Sequence, residues 1–177
     1  MLYSVLHPTG PMNHDCALDV PFYTAYKGEV TDLNEAFKLS QNDFSEDYRS
    51  HDIRSTSVGD IIRTIDGDYM VMGMGFKKLE LDAKWFLDYF QQIEPNKWTV
   101  FAQNDSEGRH CALGHCQSTT TLGQSDGNGH ATYIGRKLID LLDEVGGVTW
   151  INNGVNTTFK QKTPKERVLA ALRTLNV

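Results

Sequence analysis

Cysteine is scarce in this sequence of 177 residues, and no apolar run is long. The sequence has three cysteines, which are Cys16, Cys111 and Cys116. An odd number of thiols excludes a complete disulfide framework and favours a reducing compartment. No segment approaches the roughly 18 apolar residues that a membrane helix needs. The first residues also lack the basic flank and apolar stretch of a secretory signal. These absences predict a cytoplasmic protein that does not contact a membrane.

Basic residues are too few for a general nucleic-acid-binding protein, because 17 Lys and Arg against 23 Asp and Glu leave a net charge of −6. The charge is uneven. Residues 1–90 carry 15 acidic and 8 basic side chains, whereas residues 91–177 carry 8 and 9. We therefore expect no direct nucleic-acid binding through residues 1–90. The basic tract near the end of the chain is a candidate surface for an acidic partner; it comprises Lys160, Lys162, Lys165, Arg167 and Arg173.

The pattern of apolar residues predicts an α+β fold in two domains. Strand-like segments occur at 2–6 and 20–26, and segments 57–65 and 68–76 flank Asp66-Gly67, a pair typical of a hairpin turn. The second half is mainly helical, and Thr163-Pro164-Lys165-Glu166 is a capping box. Since the charge and the pattern both change at Pro95, we expect an α+β domain at 1–94 and a helical domain at 95–177.

An aromatic helix face precedes that boundary. Asp82 is a candidate N-cap for a helix that carries Trp85, Phe86, Tyr89 and Phe90 on one side. This face is large for a domain of about 90 residues. We interpret it either as the seam between the two halves or as a homodimer interface.

The segment 110–116 concentrates two histidines and two cysteines. Cys111, His115 and Cys116 have the chemistry of zinc ligands, and His14 or Cys16 would complete a four-ligand site. The ordinary alternative is buried thiols with incidental histidines. A third interpretation makes Cys111 the nucleophile of a thiol hydrolase, with His115 or His130 as its base. The signatures of common phosphate-binding, serine-hydrolase and metalloprotease sites are absent from the sequence.

Three carboxylates surround the predicted hairpin. Asp60, Asp66 and Asp68 are candidates for acid–base work, for a divalent cation or for contact with a partner, against the simpler interpretation that they solvate a turn and strand edges. No motif in the sequence assigns them catalytic roles.

Two stretches of the chain suggest families. Residues 47–62, which end in Ser57-Val58-Gly59-Asp60-Ile61-Ile62, and the later Gly73-Met74-Gly75-Phe76 resemble the YodL-like domain, and the likeness spans roughly residues 20–80. That resemblance implies a small α+β domain of the kind found in polyvalent proteins of phages and conjugative elements. In the second half, Cys111-Ala112-Leu113-Gly114, Ile151-Asn152-Asn153-Gly154 and the final helix resemble a small helical family of unknown function. Neither resemblance carries a set of catalytic residues.

The resemblance implies a non-catalytic accessory protein of a phage or mobile element that binds and inhibits a host factor. A counter-defence inhibitor of the anti-CRISPR type fits this expectation, because an acidic half suits the basic channel of a nucleic-acid-binding defence effector. No cofactor is expected. The alternatives are a zinc-stabilised interaction module and a thiol-dependent hydrolase.

Overall fold

The computed structural model describes residues 1–10, 12–13, 15–41, 53–116 and 132–175. They form two compact units, Met1–Glu80 and Leu81–Val177. A β-sheet dominates the first unit and helices dominate the second, so the chain has an α+β fold. The division precedes the predicted boundary after residue 94, and residues 81–94 belong to the second unit.

The first unit is built on a five-stranded antiparallel sheet with the strand order β2-β1-β3-β4-β5. Among the described residues of this unit, one helix, α1 (Leu33–Leu39), accompanies the sheet. The strands are β1 (Leu2–Pro8), β2 (Phe22–Glu29), β3 (Ile61–Thr64), β4 (Gly67–Val71) and β5 (Phe76–Leu79).

The predicted hairpin is present, but its turn is displaced by one residue. Thr64 pairs with Gly67, so the two turn residues are Ile65 and Asp66 rather than Asp66 and Gly67. The Thr64 hydroxyl accepts a hydrogen bond from the Asp66 N–H and donates to the Gly67 carbonyl oxygen. A threonine hydroxyl thus closes a turn in which Gly67 supplies the positive φ, +132°.

One face of the sheet packs against α1. Val5, Ile62 and Val71 are buried there together with Ala36 of the helix. The helix starts as the sequence predicts, because the Asp32 carboxylate accepts a hydrogen bond from the Glu35 N–H at 2.9 Å. A local cap therefore fixes where α1 begins, and its apolar residues determine which side of it packs against the sheet.

The second unit consists of helices joined by loops. Asp82 caps the first helix through the Trp85 N–H, and Thr163 and Glu166 form the predicted reciprocal capping box before the last. The α-helices are α2 (Ala83–Gln91), α3 (Ala112–His115), α4 (Tyr133–Asp143), α5 (Val148–Asn153) and α6 (Pro164–Leu175), and a 3₁₀ turn covers Pro95–Lys97.

The aromatic face of α2 is covered inside this unit. Phe86 and Phe90 are fully buried in one cluster with Val168 and Leu172 of α6. The Phe90 ring also meets the Trp98 ring edge-on, with 5.2 Å between centroids. The face therefore packs α2 against later helices of its own unit, because the division between the two units lies before α2 rather than after residue 94. This is a contact within one unit and not the seam between two domains that the sequence suggested.

Across the part of the chain that the structure describes, every helix is too short or too polar to cross a membrane.

Candidate functional site

A hollow of about 370 Å³ opens in the first unit where the start of α1 meets the β3–β4 turn. Asp32 and Asp66 contribute carboxylates to its lining, and Tyr69 and Phe76 contribute aromatic rings. Ile65, next to Asp66 in the turn, exposes 87% of its surface. We call this site the acidic hollow.

The carboxylates of the acidic hollow are free or only partly engaged. Asp66 makes no side-chain hydrogen bond to any other residue that the structure describes, and Asp32 uses one oxygen to cap α1. The nearby Glu35 accepts hydrogen bonds from the N–H and the hydroxyl of Thr31, and the first of these bonds is the main reason that the pKa of Glu35 lies below its usual range.

Two cations lie close to residues of the lining. The Lys78 ammonium is 5.9 Å from the centroid of the Tyr69 ring, and the amino group of Met1 donates to the Val30 carbonyl oxygen. Among the described residues that line the hollow, Asp32 and Asp66 carry carboxylates and none has a Lys or Arg side chain. Carboxylates beside aromatic rings are groups that bind a Lys or Arg side chain, through charge and through cation–π contact.

The other two carboxylates of the hairpin lie inside the unit. Asp60 is fully buried and accepts two hydrogen bonds from the Arg54 guanidinium, at 2.5 and 2.6 Å. Asp68 is 3% exposed and is bonded to Arg63 at 2.9 and 3.0 Å. Their burial corrects the prediction that they contact a partner, because each one neutralises an arginine of its own unit. Asp66 alone of the three faces solvent.

A buried histidine accompanies Asp60, and sequence reasoning missed it. The His7 Nε2 lies 3.5 Å from the Asp60 carboxylate and 3.4 Å from the Thr56 hydroxyl. Its Nδ1 is buried without a partner among the described residues. Burial lowers the pKa of His7 to about 4, which outweighs the opposite effect of Asp60. His7 is therefore neutral at physiological pH. The alternation of side chains along β1 was the sequence signal that could have indicated its burial.

Arg167 of the basic tract is also an internal residue. It is 7% exposed and donates to the carbonyl oxygens of Ile151 and Asn152 at 2.9 and 2.6 Å. Two more of its hydrogen bonds reach the carbonyl oxygens of Gln161 and Lys162. The guanidinium thus holds the end of α5 against α6, which corrects its prediction as a partner-binding residue.

The lysines of the tract differ in their surroundings. The Lys165 ammonium donates hydrogen bonds to the backbone carbonyl oxygens of Gln91 and Ile93. These oxygens lie at and just after the end of α2, where they have no acceptor role within the helix. Lys160 and Lys162 are exposed, although Lys160 also donates to the Thr157 carbonyl oxygen. Only part of the predicted basic surface faces solvent.

The predicted zinc ligands lie on one short helix, α3, and at its two ends. Cys111 precedes α3 and Cys116 follows it, and the His115 ring packs 4.7 Å from the Trp98 ring. Within the described ranges, no group of three or more His, Cys, Asp or Glu residues could hold a metal ion. His14 lies outside the described residues, and Cys16 belongs to the first unit.

Cys116 is buried and Cys111 is partly buried, and these surroundings make both thiols less acidic. Burial is the main reason that the pKa of each thiol, Cys111 and Cys116, lies above its usual range. The Cys111 Sγ accepts a hydrogen bond from the Gly114 N–H at 3.4 Å. A nucleophilic cysteine needs a lowered pKa, so these surroundings do not favour the thiol-hydrolase interpretation. The candidate base His130 lies outside the described residues.

A cavity of about 330 Å³ in the second unit joins the two short motifs singled out in this half of the sequence. Cys111, Ala112 and Leu113 come from the first motif, and Asn152 and Asn153 come from the second. The rest of the lining includes Phe101, Gln103, Val148 and Thr149. We call it the α3–α5 cavity.

Two asparagines hold the walls of this cavity. The Asn152 amide accepts from the Ala112 N–H and donates to the Thr99 carbonyl oxygen, both at 3.1 Å. It also donates to the Asn153 Oδ1, which in turn accepts from the Phe101 N–H at 2.9 Å. The pair therefore joins α5, the start of α3 and the 99–101 loop.

Comparisons of the chain with protein-family models, with curated proteins and with solved structures gave no match.

Proposed function

We propose that this chain is a non-catalytic binding protein of a phage or mobile element, and that its first unit binds and inhibits a basic host protein in the cytoplasm. The acidic hollow is the observation that carries this proposal. It combines exposed carboxylates with aromatic rings, and the exposed Ile65 precedes Asp66 in the adjoining turn.

The distribution of charge supports the same conclusion. Residues 1–80 carry 13 acidic and 7 basic side chains, so the whole formal charge of −6 belongs to the first unit. Two of those acidic residues, Asp60 and Asp68, are neutralised by Arg54 and Arg63 within the unit. Since each internal pair removes one charge of each sign, the excess negative charge remains with the other groups of the unit.

The partner that this chemistry recognises presents Lys or Arg side chains beside an apolar patch. A nucleic-acid-binding defence effector has such a surface, because it must neutralise phosphates. Opposite potentials steer two proteins together, and an acidic inhibitor on such a surface excludes the nucleic acid. A counter-defence role of the anti-CRISPR type is the specific form of this proposal.

The experiment is affinity capture from a bacterial lysate with the immobilised chain, followed by mass spectrometry. The test variant is Asp32→Asn/Asp66→Asn. Asparagine caps a helix as well as aspartate does and is equally tolerated in a turn, so the substitutions remove charge and leave the fold. We expect the wild type to retain a basic protein, and the variant to retain about tenfold less.

The matched control is Asp15→Asn/Asp19→Asn, which removes two exposed carboxylates of the same unit that do not line the acidic hollow. The control should retain the partner, and nucleic acid added to the lysate should compete with capture. Equal loss from both variants, or the absence of any specifically captured basic protein, would contradict the proposal.

A further inference from the structure

We propose that the α3–α5 cavity of the second unit is a binding site for an uncharged aromatic ring that carries an amide-like edge of hydrogen-bond donors and acceptors. This site is separate from the acidic hollow, and its test is independent of the proposed function.

The size and lining of the cavity fit one small ring system. Its volume of about 330 Å³ lies at the lower end of the range for ligand pockets. Leu113 and Val148 provide apolar walls, and Phe101 provides a ring. Such walls bury the faces of a planar molecule.

Polar groups of the lining remain available for a ligand. The side-chain amide of Gln103 and the hydroxyl of Thr149 make no hydrogen bond to another residue in the described ranges, and the same holds for the NH₂ group of Asn153. These groups supply both donors and acceptors. An amide-bearing ring satisfies them, whereas a plain hydrocarbon would leave them unpaired.

A charged ligand does not fit this lining. Among the described residues that form the cavity, none carries a formal charge. An ion placed against the apolar walls would lose its hydration without gaining a counter-charge. The cavity therefore selects an uncharged molecule.

The backbone at Phe101 is held in a costly conformation beside the cavity. Its φ is +60°, a left-handed value that a bulky residue adopts only under constraint, and its side chain is 71% exposed. The constraint is the hydrogen bond from its N–H to Asn153. Exposure of an aromatic ring by a strained loop is typical of a contact surface for a ligand.

Cys111 provides an internal reporter of occupancy, because it lines the cavity and is a free thiol. Benzamide and benzoate are the probes, since they share a shape and differ in charge. The measurement is the rate of Cys111 alkylation by iodoacetamide in the full chain, resolved by peptide mass spectrometry. Cys16, a partly exposed cysteine of the first unit, is the reference in the same sample.

We expect benzamide to slow the alkylation of Cys111 with a half-maximal concentration of about 1 mM, as befits a ligand of so few atoms. Benzoate should be at least about tenfold weaker, and Cys16 should respond to neither. Protection absent at about 20 mM benzamide, equal protection by benzoate, or an equal effect on Cys16 would overturn the proposal.

Matched variants test the polar edge. Thr149→Val and Gln103→Ala should each weaken benzamide protection about fivefold, because each removes one hydrogen-bonding group. Their controls are Thr158→Val and Gln161→Ala, which alter exposed side chains outside the cavity. Gln161 is a close match for Gln103, since each lends its backbone carbonyl to an internal hydrogen bond. Equal weakening by the controls, or no weakening by either site variant, would refute the assigned polar contacts and with them the proposal.

Discussion

Replacing Asn152 by alanine tests whether the second unit depends on the asparagine pair. Asn152 is 3% exposed, and its amide makes hydrogen bonds to Ala112, Thr99 and Asn153 at 3.1 Å each. Three lost bonds at about 1 kcal/mol each amount to about 3 kcal/mol. The better helix propensity of alanine returns about 0.5 kcal/mol. We therefore expect Asn152→Ala to lower the free energy of unfolding of this unit by about 2.5 kcal/mol.

Tryptophan fluorescence reports on this unit alone, because Trp85, Trp98 and Trp150 are the three tryptophans of the chain and all lie in it. In urea, the midpoint of the tryptophan transition should fall by about 1 to 2 M. Asn104→Ala, an exposed position of the neighbouring loop, is the control and should change the free energy by less than about 0.5 kcal/mol. A loss below about 1 kcal/mol for Asn152→Ala would refute the view that this amide joins three segments.

Three further predictions concern buried groups. The pKa of His7 is about 4 in the folded chain against an ordinary 6.5, so the unfolded chain binds a proton at higher pH than the folded chain does. Between pH 6.5 and 4 the free energy of unfolding of the first unit should therefore fall by up to about 3 kcal/mol, as measured by hydrogen exchange of the β1 amides. The variant His7→Gln should flatten this pH dependence. Arg54→Met leaves the Asp60 carboxylate buried without its partner and should lower the free energy of unfolding of the first unit by about 3 kcal/mol in urea, whereas the exposed Lys77→Met should change it little. Chain purified without chelator should contain less than about 0.1 equivalent of zinc by elemental analysis, and a stoichiometric content would instead support the metal site of Cys111, His115 and Cys116.

Local interactions account for the parts of the fold that the sequence predicts. Each helix cap joins two residues that are three positions apart, so the sequence itself brings the partners together. This holds for the caps at Asp32 and Asp82 and for the Thr163–Glu166 capping box. The hairpin was visible for the same reason. The exact turn residues were not predictable. The Thr64 hydroxyl bonds to Asp66 and Gly67, and this interaction competes with the turn preference of the Asp-Gly pair.

Contacts between distant residues explain the predictions that failed. Asp60 has the same local appearance as Asp66, but it is buried where β1 brings His7 beside it, across 53 residues of sequence. Arg167 belongs to a run of positive charge, yet the chain folds it onto carbonyl oxygens at the end of α5. Charge patterns in a sequence do not distinguish a solvated side chain from an internal one.

The α3–α5 cavity is also formed by residues that are far apart in the sequence. The Cys111–Gly114 and Ile151–Gly154 motifs are visible separately, but only the hydrogen bond between Ala112 and Asn152, across 40 residues, shows that they form one site. Gly114 permits a separate close approach, since a Cβ there would lie 2.1 Å from the carbonyl oxygen of Gln103, another residue of the lining. The sequence alone has no means of pairing these segments.

The salt dependence of binding tests the central claim most directly. With the captured partner purified, its Kd for the wild-type chain is measured between about 0.05 and 0.5 M salt, beside the Asp32→Asn/Asp66→Asn variant. If the acidic hollow binds a basic surface, the wild-type complex weakens at least about tenfold over this range and the variant shows a shallower slope. A salt-independent complex, or the same slope for both proteins, would contradict the account.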